Sequence, residues 1–307
     1  MPTIRNYLSL IKFSHTVFAM PFAMIGFCVA LTQVGERMHD VREQEFKFVV
    51  DKLPSNFRTI TLLIAVILCM IFARSAAMAF NRYLDRSIDA KNPRTAIREI
   101  PAGIITAKSA LIFTIISCVL FVLACFFINR LCFYLSPVAL AIVLGYSYTK
   151  RFTPLCHLIL GLGLSLAPIG AYLAVTGHFS LLPILFSLAV LFWVSGFDII
   201  YSLQDEEFDK SHQLYSMPAW LGKAKALRVS EVLHFLSAAA IGMAGYLGEF
   251  SWLYWIGTAL FIGMLIYQHT IVSPNNLKRV NLAFMTTNGI ASVVFAIFVI
   301  ADLFINP

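Results

Sequence analysis

Residues 81–89 read Asn-Arg-Tyr-Leu-Asp-Arg-Ser-Ile-Asp, and this stretch stands where a long apolar segment ends. Its Asn81, Asp85 and Asp89 follow one another at a spacing of four, which places them along one face of a helix. Carboxylates beside apolar segments carry a large desolvation cost, so acids in such positions are typical of functional sites. The stretch therefore predicts a helix that runs past a membrane edge and carries a binding site there.

A second acidic stretch follows another apolar segment. Asp198 precedes the run Asp205-Glu206-Glu207-Phe208-Asp209, in which Asp205 and Asp209 repeat the spacing of four. Asp198 stands about two helical turns before Asp205, so we expect it on a similar face and deeper in the membrane. Tyr201 flanks the same stripe. The chain thus has two acidic helix ends.

The composition is typical of a helical membrane protein. Of the 307 residues, 59% are hydrophobic and 13% charged, and the mean hydropathy is +0.81. Apolar stretches of about twenty residues, enough to cross about 30 Å of hydrocarbon, recur along almost the whole chain. We predict an all-α fold, a single domain over residues 1–307, and nine transmembrane helices. The predicted spans are 15–33, 59–81, 108–128, 131–149, 155–176, 181–204, 226–247, 251–272 and 282–304.

The basic residues predict the orientation. With a cytoplasmic N-terminus, most of the 23 Lys and Arg fall in segments that lie inside. Both acidic stretches, in the connections 82–107 and 205–225, then face the cytoplasm and could share one site. The polar insertion 34–58 lies outside. These topogenic charges account for most of the net charge of +7, so the charge does not indicate nucleic-acid binding. We expect a protein of the bacterial inner membrane.

Paired carboxylates of this kind require cations. Oxygen ligands suit Mg²⁺, which keeps several waters and commonly joins protein carboxylates to substrate phosphates. A diphosphate is therefore the expected ligand, and basic side chains near the acids could bind its remaining oxygens. A single acidic pair is more often a solvated helix face, but two on one membrane face weaken that alternative. The basic candidates are Arg82, Arg94, Arg98, Lys150 and Lys210.

Two further features have a simpler explanation. Lys150 and Arg151 end the fourth predicted span, where a topogenic anchor is the plain interpretation and an anion clamp the functional one. His157 begins the next span, where a packed histidine is more common than a metal ligand. We therefore place His157 outside the predicted site.

The chain resembles the UbiA superfamily of intramembrane aromatic prenyltransferases. Residues 81–103, which include Asn92-Pro93-Arg94-Thr95, resemble the first family motif, NxxxDxxxD with its NPRT extension. Asp198, Tyr201, Asp205 and Asp209 resemble the second motif. The stretches 12–16, 148–153 and 166–171 extend the resemblance over most of the chain. These features look most like the 4-hydroxybenzoate polyprenyltransferase branch.

The resemblance implies a bundle of nine helices around a central cavity. It implies Mg²⁺-dependent transfer of a polyprenyl group from polyprenyl diphosphate to an aromatic acid in quinone biosynthesis. In that reaction we expect Asp198 to orient or deprotonate the phenol and Arg151 to pair with the aromatic carboxylate, and we count Tyr201 among the catalytic residues. The expected metal-binding residues are Asn81, Asp85, Asp205 and Asp209, with Asp89 in support.

Other functions stay open at this point. The acceptor could be dihydroxynaphthoate in menaquinone synthesis, homogentisate, haem or a chlorophyll precursor. A cation transporter would also place carboxylates in a helical bundle, but it predicts helices broken near the midplane and has no need of an Arg-rich NPRT segment. A purely structural membrane protein would have no use for so much clustered charge.

Overall fold

The computed structural model describes residues 3–11, 18–37 and 55–306, and helices make up almost all of their regular structure. The all-α prediction is confirmed. The helices are α1 (Ile4–Leu10), α2 (Met20–Arg37), α3 (Ser55–Asp89), α4 (Ala107–Ile128), α5 (Arg130–Thr149), α6 (Cys156–Thr176), α7 (Leu181–Ser202), α8 (Glu206–Ser211), α9 (Met217–Leu221), α10 (Lys223–Leu247), α11 (Trp252–Ile271) and α12 (Asn288–Ile305).

The lengths and compositions of these helices indicate an integral membrane protein. Among the described residues, seven helical stretches are long and apolar enough to cross a membrane. Each of the nine predicted spans overlaps a helix, but α2 and α11 do not meet the same criteria of length and hydropathy. The number nine therefore stays a prediction. Most of the polar insertion, residues 38–54, lies outside the described residues.

Contacts between residues divide the chain into two compact units. Unit 1 comprises residues 1–16 and 48–148, and unit 2 comprises residues 17–47 and 149–307. Unit 1 therefore holds the first acidic stretch and unit 2 holds the second. The single domain expected over residues 1–307 stays a prediction.

In unit 1, the length of α3 explains the position of the first motif. The helix has 35 residues, which at 1.5 Å per residue make about 52 Å, well beyond the roughly 30 Å of a hydrocarbon core. The predicted span ended at residue 81, whereas the helix continues without a break to Asp89. Asn81, Asp85 and Asp89 are therefore carried on its last turns, as their spacing predicts.

The packing of α4 shows how the helices of unit 1 associate. Its buried positions recur every three or four residues and include Thr114, Ser117 and Cys125, whereas Ile115 and Phe127 are exposed. Lipid tails are as apolar as these exposed side chains, so burying large apolar groups brings no gain in a membrane. Small residues instead allow the backbones to approach each other.

Unit 2 packs around a cluster of aromatic side chains. Trp193 of α7 is fully buried and contacts Phe22 and Phe261, with ring centroids 5.4 Å and 5.7 Å apart. Helices α6 and α7 approach closely because Gly161 has no side chain; a Cβ there would collide with Ser195 Oγ and the Leu191 carbonyl. This contact fixes the position of Asp198 on α7 relative to α6.

A buried polar network ties α7, α11 and α12 together. Asn288 Oδ1 accepts hydrogen bonds from Trp193 Nε1 and Gln268 Nε2, each 2.8 Å long. Its Nδ2 donates to the carbonyls of Ala283 and Phe284, both within the π-helical turn Leu282–Thr287 that precedes α12. A π turn leaves carbonyls without their usual partners, so Asn288 stabilises the turn as well as the helix contacts.

We expect Asn288→Leu to lower the stability of the protein. The change leaves the Trp193 and Gln268 donors buried without an acceptor, at a cost of about 1–3 kcal/mol for each group. The midpoint of thermal unfolding in detergent should fall by about 4–10 °C. Ser165→Ala is the matched control, because the hydroxyl of this buried residue bonds to the Leu162 carbonyl of its own helix. Equal midpoints for the two variants would contradict this assignment.

Candidate functional site

The end of α3 holds the first set of predicted site residues. Asn81 Nδ2 lies 3.2 Å from Asp85 Oδ2 and 3.4 Å from Ser147 Oγ of α5. Asp85 is almost fully buried. The amide donates to the carboxylate, which leaves the Asn81 carbonyl oxygen available beside it. Asn81 and Asp85 together offer only oxygen ligands at this point.

Asp89 forms the centre of an ion-pair cluster. Arg98 Nη1 lies 2.6 Å from Asp89 Oδ1, and Arg82 Nη1 lies 3.9 Å from Asp89 Oδ2. The carboxylate is buried together with Arg82. Asp89 therefore lies between two guanidinium groups, and its supporting role in metal binding stays a prediction.

The NPRT segment folds back onto the end of α3. Thr95 Oγ1 donates to the Asp89 carbonyl, and the Arg94 amide donates to Asn92 Oδ1. Together with the Arg98 ion pair, these bonds hold residues 90–98 as a compact turn beside the acids. Predicted residues Arg82 and Arg98 are thus brought together with Asp89, while the half-buried Arg94 lies in the same turn.

Unit 1 also contains a guanidinium group that the sequence analysis left out of the site. Arg74 lies seven residues before Asn81 on α3, about two helical turns deeper in the span. Its Nε atom is buried and has no hydrogen-bond partner among the described residues, and the same is true of Arg82 Nε. Buried donors without partners are rare in proteins, which makes both groups candidates for binding an anion.

In unit 2, the second acidic stretch departs from the predicted helix. Helix α7 ends at Ser202, a 3₁₀ turn covers Leu203–Asp205, and α8 begins at Glu206. Asp205 therefore stands at the start of a new short helix instead of one helical turn before Asp209 on a continuous one. Three acids crowd the first turn of α8, where the helix dipole stabilises negative charge. The dipole favours a new helix start at this point.

Asp198 has a partner that the sequence analysis did not anticipate. His157 Nδ1 lies 2.7 Å from Asp198 Oδ2, and His157 Nε2 accepts a hydrogen bond from the Met217 backbone amide at 3.3 Å. Because Nε2 accepts this hydrogen bond, it carries no proton. The proton of the imidazole is therefore on Nδ1, which donates a hydrogen bond to Asp198. His157 is buried, as expected, and it contacts a predicted catalytic residue although it was placed outside the predicted site. Its distance of 41 residues from Asp198 left no local pattern to detect.

Asp209 is held by the segment that precedes α9. Ser216 Oγ donates to Asp209 Oδ2 at 2.8 Å and accepts from the Ala219 amide. The neighbouring Tyr215 amide donates to the Lys150 carbonyl at 2.7 Å. Residues 215–217 thus contact both a predicted metal ligand and the backbone of a predicted substrate-binding residue.

The remaining predicted residues of unit 2 have different surroundings. Lys210 Nζ pairs with Glu206 at 2.6 Å on an exposed face. The Tyr201 ring packs on Phe284 with centroids 4.2 Å apart. Arg151 is half-buried just after α5. The roles expected for Lys210, Tyr201 and Arg151 stay predictions.

The donor sets of both units fit a hard cation such as Mg²⁺. The described part of the chain contains no group of three or more His, Cys, Asp or Glu side chains arranged for a metal ion. The predicted ligands are instead carboxylate pairs, joined in unit 1 by the Asn81 amide. Such a partial set suits Mg²⁺, which takes oxygen ligands and completes its shell with water and substrate phosphates. It does not suit zinc, which prefers closed sites of nitrogen and sulfur.

Comparison with known proteins places this geometry in a family. Residues 53–290 match the model of the UbiA prenyltransferase family. The chain is 29% identical over 223 residues to the 4-hydroxybenzoate octaprenyltransferase of Tolumonas auensis, covering 73% of this chain and 78% of that protein. It is 30% identical over 243 residues to the enzyme of the same name from Nitrosomonas europaea, covering 79% and 83%.

Solved structures agree with this assignment. The apo structure of a UbiA homolog from Aeropyrum pernix K1 has a TM-score of 0.75 and 28% identity, covering 95% of this chain and 98% of that one. A UbiA homolog from Archaeoglobus fulgidus bound to DMAPP and Mg²⁺ has a TM-score of 0.71 over 97% and 99% of the chains. At 20% identity, this second likeness bears on the fold alone.

We expect Arg98→Met to loosen the turn at residues 90–98. The change leaves the buried Asp89 with only the more distant Arg82, and breaking a buried ion pair costs about 3–5 kcal/mol. Amide hydrogen exchange in this turn should accelerate by at least about tenfold. Arg86→Met is the control, because Arg86 is exposed and its guanidinium contacts the neighbouring Tyr83. Unchanged exchange in Arg98→Met would show that the ion pair does not hold the turn.

Proposed function

Because the chain belongs to the UbiA prenyltransferase family, we propose that it transfers a polyprenyl group from a polyprenyl diphosphate to 4-hydroxybenzoate in ubiquinone biosynthesis. The chain is a membrane prenyltransferase, and its relatives named 4-hydroxybenzoate octaprenyltransferase support this choice of acceptor. The observation that carries the proposal is a set of oxygen ligands close to arginines on the same helix end. Asn81 and Asp85 supply the oxygens, and Asp89 with its paired Arg98 follows one helical turn later.

We assign the acids to the diphosphate end of the donor. Asn81, Asp85, Asp205 and Asp209 would hold Mg²⁺, and Asp89 would keep the arginines in place through its ion pairs. Mg²⁺, when bound, offsets the negative charge of the diphosphate and so makes it a better leaving group. The Archaeoglobus protein was solved with DMAPP and Mg²⁺, the same pairing of ligands that we propose here.

The protein's own cations would complete the stabilisation of the leaving group. In the proposed reaction the allylic carbon–oxygen bond breaks, and its electron pair stays with the diphosphate. Arg82, Arg94 and Lys210 would contact the oxygens on which this charge develops. The buried Arg82 Nε atom, which has no hydrogen-bond partner among the described residues, is a donor available for this contact.

We assign Asp198 to the phenol of the acceptor. The allylic cation is attacked by the ring carbon adjacent to the one that bears the hydroxyl, and that ring carbon then gives its proton to a base, for which the released diphosphate is available, to restore aromaticity. A carboxylate that orients or deprotonates the hydroxyl raises the electron density of the ring. Asp198 lies on α7 within an apolar span, where water that would quench the cation is scarce. Tyr201, one helical turn further along, would line the same position.

Two guanidinium groups are candidates for the carboxylate of the acceptor. Arg151 follows α5 and stands beside Lys150, so the two could form an anion clamp. Arg74 lies deeper in α3 with its buried Nε lacking a hydrogen-bond partner among the described residues. A carboxylate pairs well with a guanidinium because two parallel hydrogen bonds form. We propose Arg151 for this role, with Arg74 as the alternative.

We also propose a cellular arrangement for the protein. The distribution of Lys and Arg favours a cytoplasmic N-terminus and a site on the cytoplasmic side of the bacterial inner membrane. A water-soluble aromatic acid could then reach the site from the cytoplasm, while the polyprenyl tail remains in the apolar phase.

The proposal is tested by prenyl transfer with purified protein. Radiolabelled polyprenyl diphosphate is incubated with 4-hydroxybenzoate, dihydroxynaphthoate or homogentisate, each with Mg²⁺ or with excess EDTA. We expect labelled product from 4-hydroxybenzoate, no product in EDTA, and recovery when Mg²⁺ is restored. Product from dihydroxynaphthoate alone would instead indicate menaquinone synthesis. Full turnover in EDTA would overturn the metal-dependent mechanism.

We expect Arg151→Ala to raise the Michaelis constant for 4-hydroxybenzoate by about ten- to a hundredfold. This range corresponds to the loss of a charge-assisted pair that contributes about 1.5–3 kcal/mol. The constant for the prenyl diphosphate should barely change. Arg74→Ala is measured in parallel, with Arg228→Ala as the exposed control. If only Arg74→Ala raises the Michaelis constant for 4-hydroxybenzoate, Arg74 binds the acceptor's carboxylate. If Arg151→Ala raises only the constant for the prenyl diphosphate, Arg151 is part of the phosphate site.

A further inference from the structure

One short segment of unit 2, residues 215–217, is linked to two acids to which we give different roles, directly to Asp209 and through His157 to Asp198. Asp198 accepts a hydrogen bond from His157 Nδ1 at 2.7 Å, and His157 Nε2 accepts one from the Met217 amide at 3.3 Å. Ser216, the preceding residue, donates to Asp209 at 2.8 Å. The segment therefore contacts the acid assigned to the acceptor through one residue and the acid assigned to the diphosphate through the next.

The segment is itself firmly held. Ser216, Met217 and His157 are buried, at 4%, 5% and 3% exposure, so none of these bonds competes freely with water. The Tyr215 amide donates to the Lys150 carbonyl, and the Tyr215 carbonyl lies 3.5 Å from Cys156 Sγ. Ser216 also caps α9 through the Ala219 amide.

Both side chains have a donor directed at an acid and an acceptor bonded to a backbone amide. A neutral imidazole has one donor and one acceptor, and in His157 both are used. The Ser216 hydroxyl likewise donates to Asp209 and accepts from the backbone. Side chains locked in this way can fix the direction of a carboxylate, which a functional site needs in order to hold its groups within a fraction of an ångström.

We propose that His157 and Ser216 are positioning residues of the prenyl transfer reaction, His157 for the aromatic acceptor through Asp198 and Ser216 for the diphosphate donor through Asp209. The proposal rests on the proposed function, since it uses the roles assigned there to the two acids. Neither residue needs to touch a substrate. Each acts by holding the carboxylate that does.

Two substitutions separate the bonds of His157. Asparagine places its amide where Nδ1 stands, so His157→Asn keeps a donor for Asp198 and loses the acceptor for Met217. Glutamine reaches the position of Nε2, so His157→Gln keeps the acceptor for Met217 and loses the donor for Asp198. His157→Phe fills a similar volume and loses both bonds. The three variants thus distinguish the orientation of Asp198 from the packing of a ring.

The matching pair of substitutions for the contact with Asp209 is Ser216→Ala and Ser216→Thr. Alanine removes the hydroxyl that bonds to Asp209, and threonine keeps it. Michaelis constants for the prenyl diphosphate and for the aromatic acceptor are measured for all five variants with Mg²⁺ present. Hydrogen exchange of the peptide around residues 212–221 reports whether the segment itself stays in place.

We expect the two sets of variants to affect different substrates. His157→Gln should raise the Michaelis constant for the acceptor by at least about tenfold and leave the constant for the donor within about threefold. His157→Asn should have the acceptor constant of the unmodified protein, while its Met217 amide exchanges faster. Ser216→Ala raises the donor constant by at least about fivefold, and Ser216→Thr restores it. In an Asp198→Asn background, His157→Gln should have no further effect on the acceptor.

Other outcomes overturn the inference. If His157→Asn and His157→Gln raise the acceptor constant equally, in step with faster exchange of the segment, His157 only packs the fold. If Ser216→Ala changes the acceptor constant and not the donor constant, Ser216 does not act on the diphosphate end. The assay uses whichever aromatic acceptor the unmodified protein prenylates. If that acceptor is not 4-hydroxybenzoate, the assay of the unmodified protein shows it, and the variants can still be compared with the true acceptor.

Discussion

The desolvation cost of carboxylates at the edge of a membrane is the constraint on which the candidate site depends. An acid removed from water must be paired, hydrogen-bonded or bound to a cation. Asp89 is paired with two arginines, Asp198 with a histidine and Asp209 with a serine hydroxyl. Where the protein's own partners leave acceptor capacity on such acids, a metal ion and the diphosphate that it binds are the expected complement. In this account the substrate helps to satisfy charges that the fold holds in place.

The same physics explains the packing of the helices. Because a membrane gives no hydrophobic gain for burying large side chains, close contacts rely on small residues and polar networks. Gly161 lets α6 approach α7, and Asn288 joins three helices of unit 2. These contacts give α7 fixed neighbours at the level of Asp198. Stability and the geometry of the site therefore share the same helix.

Much of this could be predicted from the sequence because the signals were local. Four-residue spacing placed Asn81 and Asp85 on the end of one helix, and the apolar runs predicted an all-α membrane fold. The break before α8 was not predicted, because a 3₁₀ turn depends on backbone packing and not on the spacing of acids. The contact between His157 and Asp198 was missed because the two residues are distant in sequence and come close only when α6 packs on α7. Arg74 was missed because an isolated arginine within a span carries no motif.

The most direct test of the central claim is the binding of a non-reactive prenyl thiolodiphosphate, measured by calorimetry with and without Mg²⁺. We expect binding that requires Mg²⁺ and is weakened at least about tenfold in both Asp85→Asn and Asp205→Asn. Glu207 is an exposed acid of the second stretch, so Glu207→Gln should bind as the unmodified protein does. Equal binding in EDTA, or unchanged affinity in both aspartate variants, would contradict the claim that these acids hold the diphosphate through Mg²⁺.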